Sequence, residues 1–346
     1  MEYRILGNSG IKVSVICLGT MTFGDQNTQE EGFTQLDYAL DQGVNFIDTA
    51  ELYPVPPRAA TYTGTETIIG NWIASRKNRE KFVLATKIAG PSAGLTWIRE
   101  GKTDFSGSQI REACHASLKR LQTDYIDLYQ LHWPTRKANF FGRLDYIHTD
   151  EPCSSFIETI QALEQLKNEG KIRAWGISNE TAWGALTYMH EAKNLGLPGP
   201  ASIQNPYSLL NRSFEVGLAE VAHRENLPLL AYSPLGFGVL SGKYLKGQKP
   251  EGSRLFLWSD HFKRYSNNNS MSTTAKYCSL AEKWGLPPAQ MALAFVNQRP
   301  FLCSTIIGAS NMDQLKMNIN SINIRLDEEQ MNALAQIHAQ ASHPAP

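Results

Sequence analysis

Four side chains of this 346-residue sequence could together reduce a carbonyl group. Asp48, Lys87 and His132 each follow a short apolar run, and Tyr53 stands five residues after Asp48. If the apolar runs are parallel strands, their carboxyl ends meet at one edge of the fold, where α/β barrels assemble their chemistry. We therefore expect these four side chains to lie close together.

The reduction of an aldehyde or ketone needs a hydride at carbon and a proton at oxygen. Free tyrosine, with a pKa of about 10, is a poor acid at neutral pH. A lysine ammonium beside it stabilises the phenolate by Coulomb attraction, and an aspartate keeps that lysine charged and oriented. These considerations predict Tyr53 as the proton donor, Lys87 as the perturbing cation and Asp48 as its anchor. His132 is the predicted second hydrogen-bond donor to the carbonyl.

Each of these residues also has an ordinary explanation when it is considered alone. Asp48 could cap a helix, and Tyr53 could be a surface aromatic among prolines. Lys87 could be solvated, and His132 could be a packed loop histidine. Their joint occurrence, in order, at corresponding strand ends favours the catalytic interpretation.

The elements that would position these residues alternate along the chain. Eight short, continuous apolar runs, typical of strands buried on both faces, are separated by segments with helical periodicity. This pattern predicts one (β/α)8 barrel domain over residues 1–346, with a doubly wound sheet as the alternative. A β-hairpin, residues 3–6 and 11–14, precedes the barrel. The predicted barrel strands are residues 15–18, 44–47, 82–86, 125–131, 172–177, 201–204, 227–232 and 304–307.

Three connections are too long to be ordinary turns. They cover residues 54–63, residues 133–153 after the fourth strand, and residues 233–272 after the seventh. All three leave carboxyl ends of strands, so we expect them to form walls for substrate and cofactor. The aromatic residues of 133–153 favour an apolar or ring-bearing carbonyl substrate. Capping boxes are predicted at Ser106 with Gln109 and at Ser155 with Glu158.

The composition excludes several classes of function. Thirty-three basic and 33 acidic side chains cancel, so the sequence lacks the charge of a nucleic-acid or membrane-surface binder. Five scattered cysteines without a Cys-x-x-Cys pair indicate a reducing, cytoplasmic compartment. No apolar stretch approaches the length of a membrane span, and no metal-binding motif occurs. A monomer is the expected oligomeric state.

Residues 43–53, Gly-Val-Asn-Phe-Ile-Asp-Thr-Ala-Glu-Leu-Tyr, resemble the signature of the aldo-keto reductase superfamily. Lys87 and His132 fall where that family has its lysine and histidine. The branch with the greatest resemblance is the Tas-type bacterial reductases, which are related to potassium-channel β subunits. The resemblance implies NADPH as hydride donor and a small carbonyl compound as substrate. Further matching segments are 18–21, 176–179, 204–207 and 231–235.

The resemblance also implies a cofactor site. Ser178, Asn179 and Gln204 correspond to the residues that bind the carboxamide, which needs both donors and acceptors. Tyr232 corresponds to the ring that stacks on the nicotinamide, although it could also be a core tyrosine. The full set of predicted cofactor contacts is Gly19, Thr20, Asp48, Ser178, Asn179, Gln204, Tyr232, Ser233, Leu235, Gly238, Ser241, Lys243, Arg254, Gly308, Ser310, Gln314 and Asn318.

Phosphate contacts are predicted after the last two strands. The glycine-rich segment 236–243 lets backbone N–H groups approach a phosphate, and Lys243 adds charge. A helix that opens after Gly308 could receive the 2′-phosphate of NADPH at its N-terminus. Many family members have arginine in place of Gln314 and glutamate in place of Met317. The NADPH preference therefore rests on Ser310, the helix end and Arg254.

Other functions compete with reduction. The Tyr-x-x-x-Lys pattern of short-chain dehydrogenases is absent from the sequence. A Schiff-base aldolase would explain a lysine on a barrel strand, but it would not explain Tyr53 with Asp48. A cofactor-binding regulator of the channel-β-subunit type, with residual reductase activity, is the alternative from another class.

Overall fold

A computed structural model describes residues 1–151 and 153–346. Eight parallel strands form a closed barrel in which the last strand pairs with both the seventh and the first. The (β/α)8 prediction is confirmed, and a doubly wound sheet is excluded because that sheet would have open edges. The barrel strands are β3 (Ile16–Gly19), β4 (Phe46–Asp48), β5 (Val83–Ile88), β6 (Ile126–Leu131), β7 (Ile172–Ser178), β8 (Ile203–Pro206), β9 (Leu229–Tyr232) and β10 (Leu302–Ile307).

The predicted hairpin is also present. Strand β1 (Tyr3–Ile5) pairs antiparallel with β2 (Lys12–Ser14). Buried hairpin side chains such as Leu6 and Val13 pack with Phe46 and Val83, which begin barrel strands. The hairpin therefore closes the amino end of the barrel and leaves the carboxyl end for a site.

Continuous apolar runs are explained by burial on both faces of the strands. Every residue of β5, β6 and β10 is buried. One apolar cluster fills the barrel interior, and a larger one lies between the strands and the surrounding helices. The helices are α1 (Gln29–Asp41), α2 (Gly64–Arg76), α3 (Gly107–Leu121), α4 (Phe156–Asn168), α5 (Ala182–Asn194), α6 (Leu218–Arg224), α7 (Arg254–Leu257), α8 (Asn268–Lys283), α9 (Pro288–Asn297), α10 (Met312–Asn320) and α11 (Glu328–Gln340).

The two predicted helix caps differ in outcome. Ser155 caps α4 by accepting from the backbone N–H of Glu158, but the predicted box is incomplete, because the Glu158 carboxylate accepts from the backbone N–H of Gly107 instead. The capping box predicted at Ser106 is wrong, because its hydroxyl donates to Asp104 instead. Gln109, its expected partner, accepts a hydrogen bond from Arg99 at 2.9 Å. The long-range contact to Arg99 replaces the local cap.

The long connections contain short helices of their own. The segment predicted as a loop over 233–272 includes α7 and the first residues of α8. Of the predicted loop 133–153, residue 152 lies outside the described residues. None of the described helices is both long and apolar enough to span a lipid bilayer.

Candidate active site

A cavity of about 1560 Å³ opens at the carboxyl end of the barrel. It is larger than the roughly 300–1,000 Å³ typical of a site for one small ligand. Its walls include Pro57, residues 140–144 and residues 232–235, so all three long connections contribute, as predicted. Every residue that the sequence predicts as a cofactor contact lines this cavity, as do Tyr53 and His132.

The four predicted catalytic residues meet at the floor of the cavity. The Nζ atom of Lys87, which is fully buried, lies 2.6 Å from Oδ2 of Asp48. The same Nζ donates to the backbone oxygen of Thr49 at 2.7 Å and reaches the hydroxyl of Tyr53 at 3.5 Å. The ring of His132 lies edge-on to that of Tyr53, with centroids 5.8 Å apart. The ammonium therefore stands between the carboxylate and the phenol.

Two amides complete the surroundings of Asp48. Its Oδ1 accepts from Nε2 of Gln204 at 2.9 Å and from Nε2 of Gln130 at 3.2 Å. With Lys87 on the other oxygen, both oxygens of this buried carboxylate are satisfied, as a charge inside a protein requires. The carboxylate is fixed on three sides and can in turn hold the lysine in place.

Burial and charge act in opposite directions on Tyr53. Burial raises the pKa of the phenol above its ordinary value, while Lys87 lowers it and Asp48 adds a further rise. The net direction is upward, so burial outweighs the predicted stabilisation of the phenolate by Lys87. Lys87 limits the rise because its positive charge favours the phenolate, but part of its field is neutralised by Asp48.

Lys87 is held in its charged form and His132 in its neutral form. Burial alone would lower the pKa of Lys87, but Asp48 and Tyr53 outweigh it and the pKa is raised, so the lysine stays charged. Burial and the nearby Lys87 hold the pKa of His132 well below its usual range. A neutral imidazole can still donate one hydrogen bond, and its buried Nδ1 has no partner among the described residues.

The predicted carboxamide-binding residues form one hydrogen-bonded group. Nδ2 of Asn179 donates to the backbone oxygen of His132 at 2.9 Å, and its Oδ1 accepts from the Tyr232 hydroxyl at 2.6 Å. Ser178 donates to the backbone oxygen of Gln204 at 2.7 Å. The structure thus brings Ser178, Asn179, Gln204 and Tyr232 together beside the floor of the cavity.

The other end of the cavity is cationic and contains a helix N-terminus. Arg254 is partly buried there, and its Nη2 lies 3.9 Å from where a β-carbon on Gly308 would stand. Asn311 caps α10 by accepting from the backbone N–H of Gln314. The Gln314 side chain folds back, so that its Oε1 accepts from both the amide and the hydroxyl of Ser310.

The donor set of the cavity fits a phosphorylated dinucleotide. Amides and hydroxyls line one end, and Lys243 and Arg254 line the other. Burial lowers the pKa of the Arg254 guanidinium, as expected where desolvation is not compensated. Arg254 forms no ion pair with any acidic side chain of residues 1–151 or 153–346.

Sequence reasoning missed several residues around this site. Gln130, inside the apolar run of β6, contacts Asp48, and an amide within a buried strand was the available signal. Buried Glu51 accepts from the backbone N–H of Ala89 at 2.6 Å and pairs with Arg99. Arg264, in the long connection after β9, also lines the cavity. These contacts join segments far apart in sequence.

Comparison with known proteins gives an independent view of the chain. The sequence model of the Aldo/keto reductase family matches residues 15–339. Protein tas of Escherichia coli (strain K12) is 51% identical over 347 residues, which cover 100% of both chains.

More distant relatives cover nearly the whole chain as well. The uncharacterized oxidoreductase YrpG of Bacillus subtilis (strain 168) is 35% identical over 97% of this chain and 96% of its own length. A probable voltage-gated potassium channel subunit beta of Arabidopsis thaliana is 30% identical, over 94% of this chain and 92% of its own. The similarity thus includes both named oxidoreductases and named channel subunits.

Proposed function

Because the chain belongs to the aldo/keto reductase family, we propose that it is an NADPH-dependent oxidoreductase that reduces an aldehyde or ketone to an alcohol. Family membership supports oxidoreductase activity in general. The finer assignment rests on the residues of the cavity and on their mutual geometry. NADPH, when bound, would supply the hydride that the carbonyl carbon receives.

The catalytic roles follow from the four residues at the cavity floor. Tyr53 donates its proton to the carbonyl oxygen, and Lys87 stabilises the phenolate that results. Asp48 keeps Lys87 charged and directed at the phenol. His132, as a neutral imidazole, donates a hydrogen bond that orients the carbonyl. A proton donor and a second donor at one oxygen are what a developing alkoxide requires.

Cofactor binding is assigned to the remaining lining residues. Ser178, Asn179 and Gln204 bind the carboxamide, and Tyr232 stacks on the nicotinamide ring. Lys243 and Arg254 offer positive charge to the phosphates, and Ser310 stands before the N-terminus of α10. Amide side chains lie at one end of the cavity and cations at the other, as the carboxamide and the phosphates of one cofactor would require. This arrangement supports the assignment.

One observation carries the proposal. A fully buried ammonium lies between a carboxylate at 2.6 Å and a phenol hydroxyl at 3.5 Å, on the floor of a large cavity. A separation beyond about 6 Å would have left little interaction between the lysine and the phenol. Burying a lysine costs free energy, because its charge loses contact with water. The ion pair with Asp48 offsets this cost, and the neighbouring phenol indicates a catalytic role for the charge.

A Tyr53→Phe variant tests the proposal. It removes the proton donor but keeps the ring, so NADPH should bind as in the parent protein. The rate of carbonyl reduction should fall by about 10²–10⁴-fold. The assay follows the loss of NADPH absorbance with a panel of aldehydes, ketones and quinones, and NADPH affinity is measured by fluorescence titration.

Tyr62→Phe provides a matched control, because Tyr62 packs in the same apolar cluster as Tyr53. Its turnover should change by no more than about twofold. Turnover unchanged in Tyr53→Phe would refute the mechanism. Borohydride trapping of substrate on Lys87 would instead support a Schiff-base aldolase.

A second candidate function is favoured by the named channel subunit among the relatives. On this alternative the chain binds NADPH and acts mainly through a protein partner, with residual reduction. A parent protein that binds NADPH tightly but reduces every carbonyl in the panel very slowly would favour it. All four predicted catalytic residues are present in this chain, which supports carbonyl reduction as its main function.

A further inference from the structure

The central cavity has a strong excess of positive charge. The chain as a whole is balanced, with 33 basic and 33 acidic side chains. The one acidic side chain of the cavity lining is Asp48, which is already paired with Lys87. The cationic side chains of the lining are Arg143, Lys243, Arg254, Lys263 and Arg264. Lys243 and Arg254 are assigned to the phosphates of the cofactor, which leaves Arg143, Lys263 and Arg264 without an assigned anion.

Arg264 differs from the exposed cations of this lining. It is partly buried, and its Nη1 is buried without a hydrogen-bond partner among the described residues. Throughout residues 1–151 and 153–346, it forms no ion pair with an aspartate or glutamate. Burial alone would lower the pKa of the Arg264 guanidinium, but Tyr265 and Tyr232 oppose that effect and raise the pKa, so it stays charged. A charged guanidinium that lines a cavity and forms no ion pair is a binding site for an anion.

The position of Arg264 separates it from the cations assigned to the cofactor. Its guanidinium lies 5.8 Å from the ring centroid of Phe141, in the connection after β6. Its Nε lies 3.0 Å from where a β-carbon on Gly142 would stand. Arg254, in contrast, lies near Gly308 at the α10 end of the cavity. None of the predicted cofactor contacts belongs to the connection after β6.

Arg264 also lies close to the proposed reaction centre. Burial raises the pKa of the Tyr232 hydroxyl, and the positive charge of Arg264 acts against that rise. The Tyr232 hydroxyl donates to Asn179, and Asn179 donates to the backbone oxygen of His132. Two hydrogen bonds therefore connect the neighbourhood of Arg264 with His132.

An aromatic wall runs from the reaction centre to Arg264. The rings of Tyr53 and His132 lie 5.8 Å apart, and those of His132 and Trp133 lie 5.0 Å apart. Trp133 and Phe141 follow with 6.1 Å between centroids, and Arg264 lies beyond Phe141. Two of these contacts are edge-to-face and the one between His132 and Trp133 is tilted, and together the rings form a surface on which a planar ring can pack.

We propose that the substrate is a ring-bearing aldehyde or ketone with a carboxylate or other small anionic group remote from its carbonyl, and that Arg264 binds this group. The inference rests on the proposed function and specifies the class of its substrate. The ring packs along Trp133 and Phe141, with its carbonyl at Tyr53 and His132. Reduction adds a hydride to the carbonyl carbon and the Tyr53 proton to its oxygen, and the anionic group is unchanged.

The test compares matched aldehydes on the full chain with NADPH. The acids are para-carboxybenzaldehyde and para-(carboxymethyl)benzaldehyde, and the controls are their methyl esters. In the parent protein, we expect kcat/KM to be higher for an acid than for its ester. Arg264→Gln should lower kcat/KM for that acid by about 10- to 100-fold and leave the ester within about threefold.

Two further variants sharpen the comparison. Lys249→Gln removes the same charge from an exposed position of the same connection that does not line the cavity, and it should retain the preference for the acid. Arg264→Lys should restore part of it, because a lysine keeps the charge but loses the planar fork. The affinity for NADPH, measured by fluorescence, should be the same in Arg264→Gln as in the parent.

The outcomes separate this inference from the proposed function. If acids and esters are all reduced but Arg264→Gln affects both equally, the inference is overturned and the reductase stands. A weakened NADPH affinity in Arg264→Gln would also overturn it and would assign Arg264 to the cofactor. If no aldehyde is reduced, the proposed function fails. Calorimetric binding of para-(hydroxymethyl)benzoate with NADP⁺ then decides the inference, which requires binding that Arg264→Gln abolishes.

Discussion

The electrostatic role of Lys87 can be tested by replacing it with methionine, which fills the same space without charge. The ammonium lies 3.5 Å from the Tyr53 hydroxyl. At an effective dielectric constant of about 20, a unit charge at that distance stabilises a full phenolate by about 5 kcal/mol. If about half of the negative charge has developed in the transition state, the loss is about 2.5 kcal/mol. The expected fall in kcat is on the order of 50-fold.

The single variant has a second effect that must be separated from the first. Lys87→Met leaves the buried carboxylate of Asp48 without its cation, which should destabilise the fold by about 3–5 kcal/mol. In the double variant Asp48→Asn with Lys87→Met, both charges are absent and an amide oxygen remains for Gln204. We expect this protein to be more stable than the single variant but equally impaired in kcat.

The assay is single-turnover reduction of an aldehyde at saturating NADPH, with unfolding in urea measured for each variant. NADPH affinity should be the same in Lys87→Met as in the parent, because Lys87 does not line the cavity. If the double variant keeps its kcat within about threefold of the parent, Lys87 does not act by stabilising the phenolate. If the single variant is as stable as the parent, Asp48 is not an uncompensated buried charge in it.

The remaining predictions concern pH and cofactor choice. Because the pKa of His132 is held well below 6.5, reduction should show no titration near that pH, and a step that disappears in His132→Gln would contradict the neutral imidazole. Because the pKa of Tyr53 is raised, the donor stays protonated through neutral pH, so kcat for reduction should fall only above about pH 10. Arg254→Gln should weaken NADPH binding about 10-fold or more and NADH binding less. Equal affinities of the parent protein for NADH and NADPH, measured by fluorescence titration, would exclude Ser310 and Arg254 as the 2′-phosphate site.

Much of the fold could be predicted, because local sequence patterns indicate its strands and helices. The continuous apolar runs of β5, β6 and β10 indicated strands buried on both faces, and helical periodicity between them indicated a barrel. The exceptions were sites where the observed hydrogen-bond partner differs from the one that the local pattern predicted. Ser106 has the sequence of a capping residue, but Asp104 takes its hydroxyl and Arg99 takes Gln109. A capping pattern cannot reveal such competition.

The sequence predicted which residues form the candidate site, but it did not predict the direction in which the pKa of Tyr53 is shifted. Asp48, Lys87 and His132 occur at strand ends, and the parallel barrel brings strand ends together. The direction of the Tyr53 pKa was not predictable, because it depends on how deeply the phenol is buried and how much of the lysine charge is neutralised. Both quantities are set by packing, not by residue type.

The sequence by itself determined which chemical groups are available and that they follow successive strands, because periodicity and order are properties of the chain alone. Only the tertiary structure decided which groups share one cavity and which are left without a partner. Gln130 became a hydrogen-bond donor to Asp48, and Arg264 came to lie at the end of an aromatic wall. The physical reason is that hydrogen bonding and desolvation act through space over a few ångströms, between residues that can be more than a hundred positions apart.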